Sequence, residues 1–185
     1  MYNFLNYIYL ISKCLFQATF YIIIRKFELI IVVSYKKLLE VLSFLKKNSI
    51  TRFELLMDIV AVDKPFAKNR FIVIYRLNSI NFNYNILLNI LLMQNESLPS
   101  ALNLYSSAGW LEREVWDFFG IYFYNHNDLR RILTDYGFVG FPLRKDFPLS
   151  GYLEVSYVDE KKRVVLEPLN ITQEFRFFNF RSSWE

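Results

Sequence analysis

The chain has 185 residues, a formal net charge of +4, and 54% hydrophobic residues that include 19 Phe and 13 Tyr. This leaves room for one domain with a real core plus an extension, and more apolar surface than a soluble monomer of this size usually hides, so part of it is expected to meet a membrane or a partner. The single cysteine, Cys14, and single histidine, His126, exclude a disulfide, and exclude a structural zinc or iron–sulfur cluster built by this chain alone, since each takes about four such ligands. With five glycines and no GxGxxG or GxxxxGKS/T loop, a nucleotide cradle is not expected either.

Met1 to Ile24 is apolar, about long enough to span a bilayer, and followed by Arg25 and Lys26. Asn3, Asn6, Lys13 and Gln17 fall within one arc at helical spacing, and a lysine near mid-span is costly in lipid. The favoured expectation is an amphipathic helix lying on the protein or a partner. A membrane anchor is the next reading, and a secretory signal the least supported, because no small-residue cleavage site follows.

Glu28 to Ser34 is a β-branched run that reads as a buried strand. Tyr35 to Lys47 carries Leu38, Leu39, Val41, Leu42 and Leu45 on a helical stripe and ends in Lys46 and Lys47, which complement the helix dipole. Arg52 to Val62 is apolar and is closed by Pro65. Arg70 to Leu77 and Asn83 to Met93 read as the next two strands around a polar turn at Asn78 to Asn81, although the second run also fits a helix. Leu98 to Ala108 is expected to begin a helix, with Pro99 in its first turn. From Gly120 onward Gly137, Gly140, Pro142, Pro148, Gly151 and Pro168 break regular structure. One hairpin is expected there, from Tyr152 to Tyr157 and back through Arg163 to Leu166. The aromatic tail of Phe175, Phe177, Phe178, Phe180 and Trp184 has no evident core of its own. The fold class is α+β: a 1–27 apolar helical segment, a 28–120 mixed domain, and a 121–185 extended arm containing the hairpin.

The densest chemistry lies in Trp110 to Leu149. Glu112, Arg113, Glu114 and Asp117 stand among Trp110, Trp116, Phe118 and Phe119, and the arm adds Arg130, Arg131, Arg144, Lys145 and Asp146. If the first part is helical, Arg113 and Asp117 are at i and i+4 and can pair on one face. Aromatics of that size beside the charges favour an interface or buried network over a solvated face. A catalytic carboxylate pair is disfavoured, because no cysteine, metal set or phosphate loop accompanies it. A lone turn histidine such as His126 more often hydrogen-bonds a carbonyl or carboxylate than relays protons. The arm's basic residues suit carboxylates of a partner, with ordinary solubility charge as the plainer alternative.

The motif E-R-E-x-x-D, two large hydrophobics, six residues, His, three residues, then R-x-I-L is present as Glu112, Arg113, Glu114, Asp117, Phe118, Phe119, His126, Arg130, Ile132 and Leu133. It resembles the signature of the thirty-kilodalton subunit family of respiratory complex I, the NADH:ubiquinone oxidoreductase. LTDYGFVGFPLRKDFPLSGYLEV, EPLNITQEFRFF and SSWE resemble its mitochondrial and alphaproteobacterial branch, while LLMDIVAVDKP and RFIVIYRLNSI fit its amino-terminal domain. Asn127, Phe141 and Ser183 depart from the usual Pro, His and Pro. The resemblance implies a core subunit of the quinone module, on the matrix side of the mitochondrial inner membrane. It implies partners in the large quinone-module subunit and neighbouring cluster-carrying subunits, with membrane contact only through the complex. It also implies no cofactor on this chain, with FMN, iron–sulfur clusters and ubiquinone carried by other subunits. The reading kept beside it is a basic organellar RNA- or ribosome-associated protein, suggested by pI ≈ 9.1 and Lys161-Lys162-Arg163.

Overall fold

The computed structural model describes residues 19–25, 28–170, 176–178, 180, 182 and 184. They form nine strands and two α-helices: β1 (Thr19–Arg25), β2 (Glu28–Val33), α1 (Leu38–Lys47, entered by a 3-10 turn at Tyr35–Lys37), β3 (Leu55–Asp63), β4 (Phe71–Ser79), β5 (Tyr84–Leu92), β6 (Leu98–Pro99), α2 (Ala108–Phe119), β7 (Phe123–Tyr124), β8 (Leu153–Val158) and β9 (Arg163–Pro168). The expected α+β class holds. The chain divides into two compact units, 1–147 and 148–185. Residues 121–147, read from sequence as the start of the arm, therefore lie in the first unit.

The first unit is built on a five-stranded sheet in the order β1-β2-β5-β4-β3. Every neighbouring pair is antiparallel except β2 and β5, which run parallel. The β2–β5 connection is long enough for that because α1, β3 and β4 lie between them in sequence. Side chains alternate along β4, so Phe71, Val73, Tyr75 and Leu77 are buried while Ile72, Ile74 and Arg76 face the other side. On β5 the buried set is Ile86, Leu88, Ile90 and Leu92, in the same period-two pattern. These residues share one core with Leu38, Val41, Leu42 and Leu45 of α1 and with Ala108, Val115 and Phe119 of α2. Burying a side chain of this kind is worth about 1.5–3 kcal/mol, so the layer of helices on that face holds the sheet.

Two expectations need correction. The helix expected to run to Ile24 is strand from Thr19, pairing Ile22, Ile23 and Ile24 with Ile31, Ile30 and Leu29. Consecutive isoleucines are stiff at χ1 and favour a pleated pairing over a helix. The earlier part of that expectation lies outside the described residues. The run Asn83 to Met93, read as a strand although a helix also fitted it, is strand β5 as expected. The helix expected from Leu98 begins ten residues later, at Ala108. Leu98 and Ser100 instead donate backbone N–H bonds to Tyr122 and Tyr124 at 2.9 Å each, forming the short parallel pair β6–β7. Pro99, which has no N–H, falls between the two donors and so interrupts nothing.

The second unit contains the β8–β9 hairpin, with Val155 opposite Leu166 and Tyr157 opposite Val164. Its tail aromatics are exposed at Phe177, Phe178, Phe180 and Trp184, while Phe175 lies outside the described residues. Among the described residues no helix is long and apolar enough to cross a membrane.

Candidate functional site

The acidic motif lies on α2, which packs against β3 and ends in a left-handed Gly120 with φ of 69°. A Cβ at Gly120 would meet Phe141 at 2.6 Å and the Arg144 guanidinium at 2.8 Å. The glycine thus serves both the helix exit and the close approach of the following segment.

Glu112 is fully buried on the inner face of α2. Ser100 donates its hydroxyl to Oε2 at 2.6 Å, and Ala101 donates its backbone N–H to Oε1 at 2.7 Å. Burial is the largest influence on this carboxyl and pushes it up, against the opposing pull of Ser100, Ala101 and the nearby His126. His126 Nε2 stands 3.8 Å from Glu112 Oε2 and 3.2 Å from the Gly109 carbonyl, while Nδ1 accepts the Asp128 N–H at 3.1 Å. The ring thus lies between the Gly109 carbonyl and the Asp128 N–H. The imidazole closes a turn on its own chain, the plainer of the two roles expected for it. Tyr75 is buried on β4, with its hydroxyl unbonded among the described residues, and burial together with the Glu112 charge raises its pKa.

Asp117 is also fully buried and anchors the segment after the helix. Its Oδ2 accepts backbone N–H groups from Ile132 at 3.3 Å, Leu133 at 2.7 Å and Thr134 at 2.9 Å. Oδ1 accepts the Thr134 hydroxyl at 2.6 Å and an Arg131 N–H at 3.4 Å. Burial opposes the charge, but the Thr134 hydroxyl and the three N–H groups outweigh it and hold this carboxyl below the usual carboxylate range. The i,i+4 pairing of Arg113 with Asp117 does not form. Arg113 instead donates to the Arg130 carbonyl at 3.1 Å and lies 5.0 Å over the exposed Trp110 ring. Glu114 is half-buried on α2.

The basic residues divide into two kinds. Arg131 donates to the Gly140 carbonyl at 2.8 Å and stacks on Phe141 at 5.0 Å. Arg144 donates to the Phe119 carbonyl at 2.6 Å and stacks on the same ring at 4.5 Å. Trp116 meets Phe141 edge-on at 5.8 Å, so this aromatic ring is enclosed by two guanidiniums and an indole. Arg130 is exposed and pairs with Asp128 at 3.0 Å.

Asp63 and Arg70 complete the network, and the sequence reading did not single them out. Arg70 grips both oxygens of Asp63, at 2.8 and 3.0 Å, and reaches Asp146 at 2.9 Å. Asp63 also accepts the Lys145 backbone N–H at 2.8 Å, and the Arg70 guanidinium holds its carboxyl below the usual range. The signal was available: Asp63 ends β3 and Arg70 immediately precedes β4, so a hairpin at Pro65 brings them together. Ser100 and Thr134 are hydrogen-bond partners whose roles no spacing rule announces. Among the described residues, no three His, Cys, Asp or Glu side chains converge as metal ligands would.

Fold and site together define a small α+β domain whose acidic helix is occupied by its own loops. The chain belongs to the respiratory-chain NADH dehydrogenase 30 kDa subunit family, whose model matches residues 31–153. It is 57% identical over 148 residues to the NADH dehydrogenase [ubiquinone] iron-sulfur protein 3 of Beta trigyna, covering 80% of this chain and 77% of that one. It is 52% identical over 163 residues to NADH-ubiquinone oxidoreductase subunit 9 of Reclinomonas americana, covering 88% of this chain and 80% of that one. Among solved structures it resembles a trypsin-resistant fragment of Nqo5, with a TM-score of 0.59 and 26% identity, over 68% of this chain and 99% of the fragment. A chain of an archaeal membrane-bound sulfane sulfur reductase shares the fold, with a TM-score of 0.64 over 94% of this chain and 97% of that one. The motif-based resemblance therefore holds.

Proposed function

We propose that this chain is a scaffolding core subunit in the quinone module of proton-pumping NADH:ubiquinone oxidoreductase, in the peripheral arm on the matrix side of the mitochondrial inner membrane. Family membership and the names of its relatives support the assignment to the complex. The observation that carries the scaffolding role is the occupation of both buried motif carboxylates. Glu112 and Asp117 are fully engaged with Ser100, Ala101 and residues 131–134, which leaves neither facing a substrate.

The Asp117 bonds, with those of Arg131 to Gly140, Arg144 to Phe119 and Lys145 to Asp63, tie down residues 131–147 while Leu133, Tyr136 and Val139 stay exposed. An ordered apolar loop loses little entropy on docking, which suits a surface that a partner subunit covers. On this reading Glu112, Trp116, Asp117, Phe119 and His126 shape the scaffold, with Arg131 and Arg144. Arg113, Glu114, Arg130, Lys145 and Asp146 lie toward partners, chiefly the large quinone-module subunit and its cluster-carrying neighbours. FMN, the iron–sulfur clusters and ubiquinone belong to those partners. Residues 148–185 act as an extension along them.

The test is to solubilise organelle membranes in mild detergent, separate native complexes and locate this chain. Co-migration with NADH-dehydrogenase activity in a very large assembly is the expected result. Migration as a small species, or with ribosomal RNA, overturns the assignment.

A further inference from the structure

The turn joining β3 to β4 reads Lys64, Pro65, Phe66, Ala67, Lys68 and Asn69, and it is unusual in what it exposes. Phe66 is fully exposed, at 103% of its reference area, at the tip of the turn. The turn is not a loose one. Lys64 donates its N–H to the Arg70 carbonyl at 2.7 Å, Ala67 donates to the Lys64 carbonyl at 3.0 Å, and the Asp63–Arg70 fork clamps the base. Pro65 adds its own restriction on φ. A large aromatic ring is therefore held out in water by a turn with little freedom to withdraw it.

Chain distant in sequence completes the surface. The Lys145 N–H bond to Asp63 brings Lys145 alongside the turn, and a shallow concavity is lined by Asp63, Lys64, Pro65, Phe66, Ala67 and Lys145. Its rim is cationic. Both neighbouring carboxylates, Asp63 and Asp146, are held by Arg70, whereas Lys64, Lys68 and Lys145 are exposed. An exposed aromatic anchor beside a concave apolar floor and ringed by lysines is complementary to an apolar side chain flanked by carboxylates.

We infer that the Phe66 turn together with Lys145 is a docking surface for an acidic segment of a partner protein, one that places an apolar side chain against Phe66 and Pro65 and carboxylates against Lys64, Lys68 and Lys145. The inference rests on the assembly reading only in taking the neighbour to be a protein subunit. It adds to that reading a particular face and the chemistry of what covers it. The rigid base means that docking orders few new torsions, and the lysines supply steering and register.

The experiment treats the native membrane assembly, isolated through this chain, with a water-soluble carbodiimide. This reagent joins an amine to a carboxylate only where the two are already in contact. The expected result is amide links from Lys64, Lys68 or Lys145 to Asp or Glu residues of one partner segment that carries an apolar residue beside them. Phe66→Ala should lower the yield of those links on the order of tenfold, as loss of a buried aromatic anchor does, and Phe66→Leu should restore most of it. The inference is overturned if these lysines react with a small amine reagent in the assembly as fast as in the isolated chain. It is equally overturned if they are protected only when anionic vesicles are added, which would make this a lipid-facing turn. Co-migration with NADH-dehydrogenase activity is scored separately, so a failure of the assembly reading and a failure of this surface give different results.

Discussion

Asp117 and Thr134 are joined twice, by the Thr134 hydroxyl at 2.6 Å to one carboxylate oxygen and by the Thr134 backbone N–H at 2.9 Å to the other. The first bond uses the side chain and the second the main chain, so residue 134 is fixed in both position and orientation. With Ile132 and Leu133 donating as well, α2 ends up holding a loop that follows it in sequence. The pairing within the helix that residue spacing suggested would have left that loop without an anchor.

Removing this anchor strands four part-buried donors. Asp117→Ala is expected to destabilise the purified chain by about 1–3 kcal/mol, the cost of leaving such donors unsatisfied. Arg113→Ala is expected to cost less, since it loses one carbonyl contact and a stack on an exposed ring. Urea unfolding of both variants checks the order. In cells, both substitutions should lower assembled complex and NADH-to-quinone activity together. Normal amounts of complex with dead chemistry would contradict the scaffold role.

Acid should act through the same group. Asp117 and Asp63 both have folded-state pKa values below their unfolded ones, so the stability they contribute is present above the unfolded carboxylate range. It is lost as pH falls below about 4 toward the folded values. Stability curves between pH 6 and pH 2.5 should steepen there, and Asp63→Asn should make the decline shallower.

Glu112 has the opposite sign. Its folded pKa is raised, so its contribution is full below the unfolded value and declines as pH rises through the folded one. Glu112→Gln keeps an acceptor for Ala101 and carries no buried charge, so it should flatten the change in stability on the alkaline side of about pH 4.3. Urea unfolding of wild type and variant across that range measures the difference.

Two glycines give a matched pair. Gly120→Ala faces both a left-handed φ and the Phe141 ring, whereas Gly137→Ala, at φ of 73°, meets nothing within 4 Å. The second should cost about 1–2 kcal/mol for backbone handedness alone. The first should cost a further 1–3 kcal/mol, approximately, because Phe141 and Arg144 must move. Thermal midpoints of the two proteins check the difference.

Tyr75→Phe removes a buried hydroxyl that has no hydrogen-bond partner among the described residues. The expected outcome is no loss of stability, or a gain of about 1 kcal/mol, by chemical unfolding.

Much of the domain was legible because its elements repeat. The stripe Leu38, Val41, Leu42 and Leu45 states a helical period several times over, and β4 is a short apolar, β-branched run, so single residues hardly matter. The stretch from Leu98 was misread because Pro99 fits a helix start as well as a strand position whose N–H points at nothing. The strand character of 19–24 was hidden by polar residues upstream that happened to share an arc. In the site, the motif marked Glu112 and Asp117, but their partners Ser100 and Thr134, and the separate Asp63–Arg70 pair, come from other parts of the chain. Which chain segment meets a carboxylate depends on how the sheet is ordered, and no local spacing encodes that. Phe141, noted only as a departure from the family's usual His, turns out to be the ring between Arg131 and Arg144.

The bond from the Lys145 N–H to Asp63 spans 82 residues. A ribosome delivers Asp63 long before Lys145, so for that interval the end of β3 carries a carboxylate bound only by the nearby Arg70. Helix α2 likewise emerges before Thr134 and must wait with Asp117 open to water. The five strands of the large sheet therefore emerge first, and the segment from 131 to 147 can lock onto them only afterwards. Interruption of synthesis between these points would leave a folded sheet without its clasp, which makes this late step a natural place for quality control to act.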